Sequence, residues 1–321
     1  MTLVRSHENP ILTRDDVPDV PPTITDATSV FNPGAVMHDG RYLLMLRVQT
    51  RGRETHFMMA EGGDETHFEV DGRVVQVRGI ESFEGTVYHC YDPRITELGG
   101  VYYIMFAMDT DHGCRLGLAR TADFETVDFI GAGGNIDIRN GVLFPEKIGG
   151  SYVRLDRPNR VSFETGVTSG DEIVLSRSDD LLDWRPVSPV MRGRLHYWDE
   201  LIGPGPPPVK TRDGWLLIYH GIATHLAGAC IYQAGVALLD LDDPSKLLAR
   251  SRNNILEPRE PYEMTGQVPN VVFPSGLIVE GHDAGGFADP ESKALIYYGA
   301  ADTSVCLATA SVGELLAACS D

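Results

Sequence analysis

An aspartate wedged between an aromatic ring and a proline is a carboxylate with little backbone freedom. Tyr91-Asp92-Pro93-Arg94 is such a segment. The proline favours an extended backbone at Asp92. Held beside an aromatic face, the carboxyl can keep its proton and act as a general acid. The same residue type before proline also caps turns, and the residues alone leave both roles open. Other side chains offer the opposite charge. Arg47, Arg157 and His220 stand at the ends of apolar runs, and Arg51, Arg53 and Lys147 lie near enough to add to them. A guanidinium presents a planar fork of donors that matches phosphate or carboxylate, so a cavity shared by these cations suits an oxyanion. Asp156, next to Arg157, and Asp302, in Gly299-Ala300-Ala301-Asp302-Thr303, are carboxylates suited to sugar hydroxyls. Tyr91, Tyr197, Trp198, Tyr219 and Tyr298 offer rings for a sugar face, although each ring alone suits core packing better.

The elements that position these groups follow from an internal repeat. Five times the chain shows a proline-led opening, an apolar strand, a tight turn and a strand rich in aromatic and β-branched residues. The openings are Asn32-Pro33, Asp92-Pro93, Phe144-Pro145, Pro206-Pro207-Pro208 and Phe273-Pro274. The turns are Asp39-Gly40, Gly99-Gly100, Gly149-Gly150 and Asp213-Gly214, with a longer loop around Gly285-Gly286 in the fifth unit. Asp-Gly and Gly-Gly are hairpin signals, because type I′ turns need positive φ at their centre. Each unit has a second half, such as Leu116-Gly117-Leu118-Ala119, and the turns Thr121 to Phe124 and Ser178 to Leu181 look alike. About four strands per unit is one propeller blade. The expected fold is all-β, a single five-bladed β-propeller with blades near 32–75, 90–132, 141–188, 203–252 and 270–312. A β-sandwich also has strands at this spacing, but not this recurrence of proline, turn and aromatic strand. One helix is expected, over 311–319. In a propeller, equivalent positions converge on the axis. Arg47, Ala107 and Arg157 each stand seven residues after a turn glycine, and His220 six residues after Gly214. Three cations on matched positions therefore face one another.

Composition narrows the partners. The 321 residues carry a formal net charge of −19, which repels nucleic acid and anionic membranes. An anionic ligand must then be held by a local basic cluster. The five cysteines are odd in number and show no metal-knuckle spacing, and are expected as reduced thiols. No apolar stretch reaches the length of a membrane span or resembles a leader, so the expected location is the cytoplasm. No cofactor or metal is called for.

The sequence resembles glycoside hydrolase family 130, the β-mannoside phosphorylases and related mannosidases. The resemblance runs almost end to end. It includes Asn9 to Leu12, Val30 to Ala35, Leu46-Arg47-Val48, Asp92 to Thr96, Leu143 to Lys147, Gly203 to Pro208, Gly214 to Gly221, Gly235 to Leu241, Val268 to Pro274 and Tyr297 to Thr303. It implies an active site in the axial funnel with Asp92 as the catalytic acid. It implies phosphate-binding roles for Arg47, Arg157 and His220, which Lys147 is expected to join, and places Asn32 and Asp302 near the mannosyl unit, with Arg94 and Asp156 as further expected substrate contacts. The implied reaction is inverting phosphorolysis of a terminal β-mannoside to α-mannose 1-phosphate, with inorganic phosphate as co-substrate. Because the nucleophile is already an anion, one carboxylate suffices where inverting hydrolysis needs two. The expected partners are a β-mannoside oligosaccharide and phosphate, in a monomer or homo-oligomer. Three positions depart from the family pattern: Tyr91 for a glutamate, Asp156 for a histidine and Leu201 for a lysine. Losing one cation and gaining a carboxylate would lower the local positive potential. Two other functions compete. A β-mannosidase would use Asp156 or Asp199 as base, and a sugar-binding propeller would use Asp92 only as a hydrogen-bond acceptor.

Overall fold

A computed structural model describes residues 3–133, 137–162, 168–224 and 230–320. The chain forms a five-bladed β-propeller. In chain order the blades are built on the inner strands Ser29–His38, Val87–Leu98, Ile138–Leu143, Leu201–Pro204 and Val272–His282. Each inner strand pairs antiparallel with the strand that follows the hairpin: Arg41–Gln49, Val101–Thr110, Tyr152–Pro158, Gly214–Ala223 and Ala288–Ala300. The amino-terminal strand Val4–Arg5 pairs with Ser304–Ser311, so the last blade combines both ends of the chain.

The long apolar runs have a simple cause. Each sheet packs on both neighbours, so both faces of its second strand are buried and the alternation of a one-sided sheet is lost. In Arg41–Gln49, Leu43 and Met45 join Ile95, Ile104 and Phe106 of the second blade. Leu44, Leu46 and Val48, pointing the other way, join Ile278, Leu295 and Leu307 of the fifth. Likewise Trp215, Leu217 and Tyr219 face the third blade, and Leu216 and Ile218 face the fifth.

The turns follow their chemistry. Asp39 and Gly40, Gly99 and Gly100, and Gly149 and Gly150 all have positive φ, as type I′ turns require. The fourth turn differs from the expectation. Thr211 pairs with Gly214, so Arg212-Asp213 forms the loop and Gly214 begins the next strand. The two similar outer turns are equivalent. Thr121 Oγ1 accepts from the Phe124 amide and Ser178 Oγ from the Leu181 amide. Asp123 accepts from the Glu125 and Thr126 amides, and Asp180 from those of Leu182 and Asp183. The expected helix is Val312–Ala318, with Ser311 and Glu314 forming a capping box. The five cysteines are free. Among the described residues, no helix is long and apolar enough to cross a membrane.

Candidate active site

Three inner strands carry a bulge at the same level. Between the pairs Phe31↔Arg47 and Gly34↔Met45, the inner strand advances three residues while its partner advances two. The same happens between Tyr91↔Ala107 and Arg94↔Met105, and between Arg139↔Arg157 and Val142↔Leu155. At each bulge one residue takes a positive φ: Asn32 at 47°, Asp92 at 55° and Asn140 at 55°. Asn and Asp tolerate this region better than other side chains, and a bulge re-aims the side chain it carries. All three line one cavity of about 690 Å³. The extended backbone expected at Asp92 is therefore replaced by a left-handed one, because the bulge overrides the preference set by Pro93. The third equivalent position is Asn140, not Phe144. Phe144 is fully buried, edge-on to Trp215 at 5.0 Å.

Asp92 is the most constrained carboxylate in the cavity. Its Oδ1 accepts from Asn32 Nδ2 at 2.9 Å and from Arg47 Nη1 at 2.9 Å. Arg94 lies beneath, donating from Nη1 to the Asp92 carbonyl at 3.0 Å and from Nε to the Gly205 carbonyl at 2.8 Å. It is 1% exposed and does not line the cavity. Burial pushes the Asp92 carboxyl up, but Arg47, Arg94 and the hydrogen bonds from Asn32 and Arg47 together hold it below the usual carboxylate range. Asp302 lines the same cavity, also at positive φ, and burial pushes it up to about 6. Two carboxyls in one cavity are thus driven apart in proton affinity by their surroundings.

The cationic wall is not the expected set. Arg157 lines the cavity, and burial brings it down to about 10. Its register partner across the sheet is Arg139, which also lines the cavity. Arg157 donates to a neutral group, Asn159, at 2.9 Å, and Arg139 approaches Asp109 only to 3.8 Å. Two guanidiniums directly opposite on neighbouring strands repel unless an anion joins them. Arg53 is a further lining cation, whereas Arg51 pairs with Asp26 at the exposed surface.

Several expected positions are corrected. His220 holds the matched position, opposite Gly203, but is fully buried beneath Phe273, with ring centres 4.7 Å apart. Burial, then Arg157 and Arg94, push its pKa well down, so it is a neutral imidazole and not a cation. Lys147 is exposed, lies over the Tyr152 ring at 4.1 Å and does not line the cavity. Asp156 turns away. It shares a strand face with Arg154, which it pairs at 2.8 Å, while Arg157 takes the opposite face. Its charge is matched by that of Arg154. Asp199 is fully buried with Arg194 and Arg250 and also lies outside the cavity. Of the expected rings only Tyr91 lines the cavity, joined by Phe273 and Tyr232. Arg139, Asn140 and Asp109 were not expected. Among the described residues there is no group of His, Cys, Asp or Glu arranged to hold a metal ion.

Comparison with known proteins agrees with this architecture. The chain is 31% identical to a beta-1,4-mannooligosaccharide phosphorylase of Ruminococcus albus, over 97% of this chain and 89% of that one. It is 31% identical to a 1,2-beta-oligomannan phosphorylase of a Thermoanaerobacter species, over 90% and 92% of the two chains. A solved beta-1,2-mannobiose phosphorylase from Listeria innocua superimposes with a TM-score of 0.83 at 27% identity, covering 100% of this chain and 99% of that one. A family model described as beta-1,4-mannooligosaccharide phosphorylase matches residues 3–321. By sequence and by fold, the chain belongs to glycoside hydrolase family 130.

Proposed function

We propose that the protein is an inverting glycoside phosphorylase that transfers a terminal β-mannosyl unit to inorganic phosphate, giving α-mannose 1-phosphate and a shortened acceptor. One observation carries this reading: Asp92 shares its cavity with Arg139 and Arg157, two register-paired guanidiniums for which the described residues supply only Asp109, 3.8 Å from Arg139, which leaves a gap in the charge pairing. An anion filling that gap relieves their repulsion and stands ready as the nucleophile. A phosphate oxygen forms the bond to the anomeric carbon as the glycosidic bond breaks on the other face. The departing oxygen takes a proton that Asp92 delivers through a sugar hydroxyl. Asp92 is held ionised in the free enzyme; a bound phosphate brings negative charge beside it, raises its proton affinity and lets it take up from solvent the proton it delivers. Asn32 and Asp302 hold the mannosyl unit, with Arg94 bracing the backbone at Asp92 and His220 supporting the cavity from beneath as a neutral ring.

The hydrolytic alternative lacks the bases first considered for it, since Asp156 and Asp199 lie outside the cavity. The whole chain works as one catalytic unit, in the cytoplasm, where a charged sugar phosphate is retained. The decisive experiment incubates the protein with β-1,2- and β-1,4-linked mannosides, with and without phosphate. Mannose 1-phosphate formed only with phosphate supports phosphorolysis. Free mannose released at the same rate without phosphate would overturn it.

A further inference from the structure

The pair formed at the level of the bulges differs from blade to blade. Blade one has Phe31 opposite Arg47, blade three has Arg139 opposite Arg157, and blade four has Gly203 opposite His220. Blade two reverses the arrangement, with Tyr91 on the inner strand and the small Ala107 opposite. Tyr91 is 7% exposed and packs with Ala107 and Cys114. Its hydroxyl donates to Asp109 Oδ1 at 2.7 Å, which ties the ring down at its far end.

That ring carries two guanidiniums from the flanking blades. The Arg47 Cζ lies 4.7 Å from the centre of the Tyr91 ring and 4.4 Å from that of Phe31. The Arg139 Cζ lies 5.9 Å from the centre of the same Tyr91 ring. Arg47 is the residue that holds Asp92, and Arg139 is half of the register-paired cations. A guanidinium over an aromatic face is attracted by the ring quadrupole without being neutralised, so it stays available to an anion.

We infer that Tyr91 is a positioning residue for the anion site: its ring sets Arg47 and Arg139 in place without cancelling their charge. This rests on the phosphorolytic reading. In this role Tyr91 acts through the two arginines.

The test uses the full chain and three variants, Tyr91→Phe, Tyr91→Leu and Tyr91→Met, each checked for folding by circular dichroism and melting temperature. Two quantities are read. One is the affinity for inorganic phosphate by calorimetry. The other is the KM for phosphate, set against the KM for the mannoside and kcat. Tyr91→Phe keeps the ring and is expected to hold phosphate affinity within about threefold of wild type, while Tyr91→Leu weakens it by about tenfold or more with the mannoside KM little changed. Tyr91→Met fills the space without a π face. It is expected to behave as Tyr91→Leu does and stands in for it should that variant fail to fold. Equal phosphate affinity in the ring-bearing and ring-less variants would overturn the inference, as would parallel loss of both KM values. Should wild type form no mannose 1-phosphate, the proposed reaction fails on its own account. The calorimetric comparison with phosphate alone still decides the role of Tyr91, and a wild type that binds no phosphate overturns that role too.

Discussion

Asp92 and Asp302 are the same chemical group in the same cavity with opposite proton affinities. Asp92 is held down by Arg47 and Arg94 against the effect of burial, and Asp302 is pushed up to about 6 by burial. Replacing Asp92 with Asn removes the proposed proton relay and keeps shape and hydrogen-bonding reach. Turnover is expected to fall by about 10²–10⁴-fold, with sugar and phosphate affinity retained, measured by initial rates and calorimetry. For Asp302 the sign runs the other way from an ordinary ion-paired acid. Its folded pKa lies above the ordinary 3.8, so its contribution to stability is full below that value and is lost as pH rises through about 6. Asp302→Asn is therefore expected to raise the urea midpoint relative to wild type at pH 7.5 and to leave little difference near pH 3.5. An offset that is the same at both pH values would show that Asp302 titrates normally. The sequence already pointed to Asp92, Arg47, Arg157 and Asp302. It did not point to Arg139 and Asn140, and the reason is arithmetic. Eight residues separate Asn32 from Gly40 and Asp92 from Gly100, but ten separate Asn140 from Gly150. The extra two residues hide the equivalence until strand register is known.

At the scale of elements, the active cavity depends on how closely inner and second strands approach at the bulge. Gly299, opposite Phe273, has no side chain, and Asn32 occupies the space in front of it. A Cβ there would stand 1.9 Å from Asn32 Oδ1 and 3.0 Å from its amide nitrogen. Gly299→Ala must therefore displace Asn32, which holds Asp92. The expected result is a loss of stability of about 1–3 kcal/mol, from overpacking, with turnover reduced more than that loss explains. Thermal denaturation and kcat on the folded fraction check it. Unchanged kcat would mean that Asn32 does not tune Asp92. Hairpins were readable because their turn residues are chosen by local φ. Gly203 and Gly299 were not readable as spacers, because their need comes from His220 and Asn32 on other strands.

On the scale of the whole molecule, the amino-terminal strand completes the last blade and brings a cation to a buried carboxylate. Arg5, on the amino-terminal strand, donates to the buried Glu263 at 2.8 Å, and Tyr298 donates to the same carboxylate at 2.8 Å. Burial pushes Glu263 up, but Arg5, the Arg259 and Glu260 amides and Tyr298 together hold it below its ordinary value. Arg5→Ala leaves that carboxylate buried without its cation, held only by the two amides and Tyr298. A loss of about 3–5 kcal/mol is expected in urea denaturation at pH 7, shrinking at lower pH as Glu263 takes up a proton. A loss below about 1 kcal/mol would place Arg5 with ordinary surface ion pairs. The fivefold repeat, the hairpins, the terminal helix and the matched positions of Arg47, Ala107, Arg157 and His220 were determined by the sequence itself. They depend on period, turn chemistry and apolar runs, which are local. Only the tertiary structure decided which charges act. One step along a strand turns Asp156 away while Arg157 faces the cavity. Burial under Phe273 makes His220 neutral, and strand register within the third blade brings Arg139 opposite Arg157. The face of a strand and the charge of a buried group are set by what other blades place around them, and no stretch of sequence contains that surrounding.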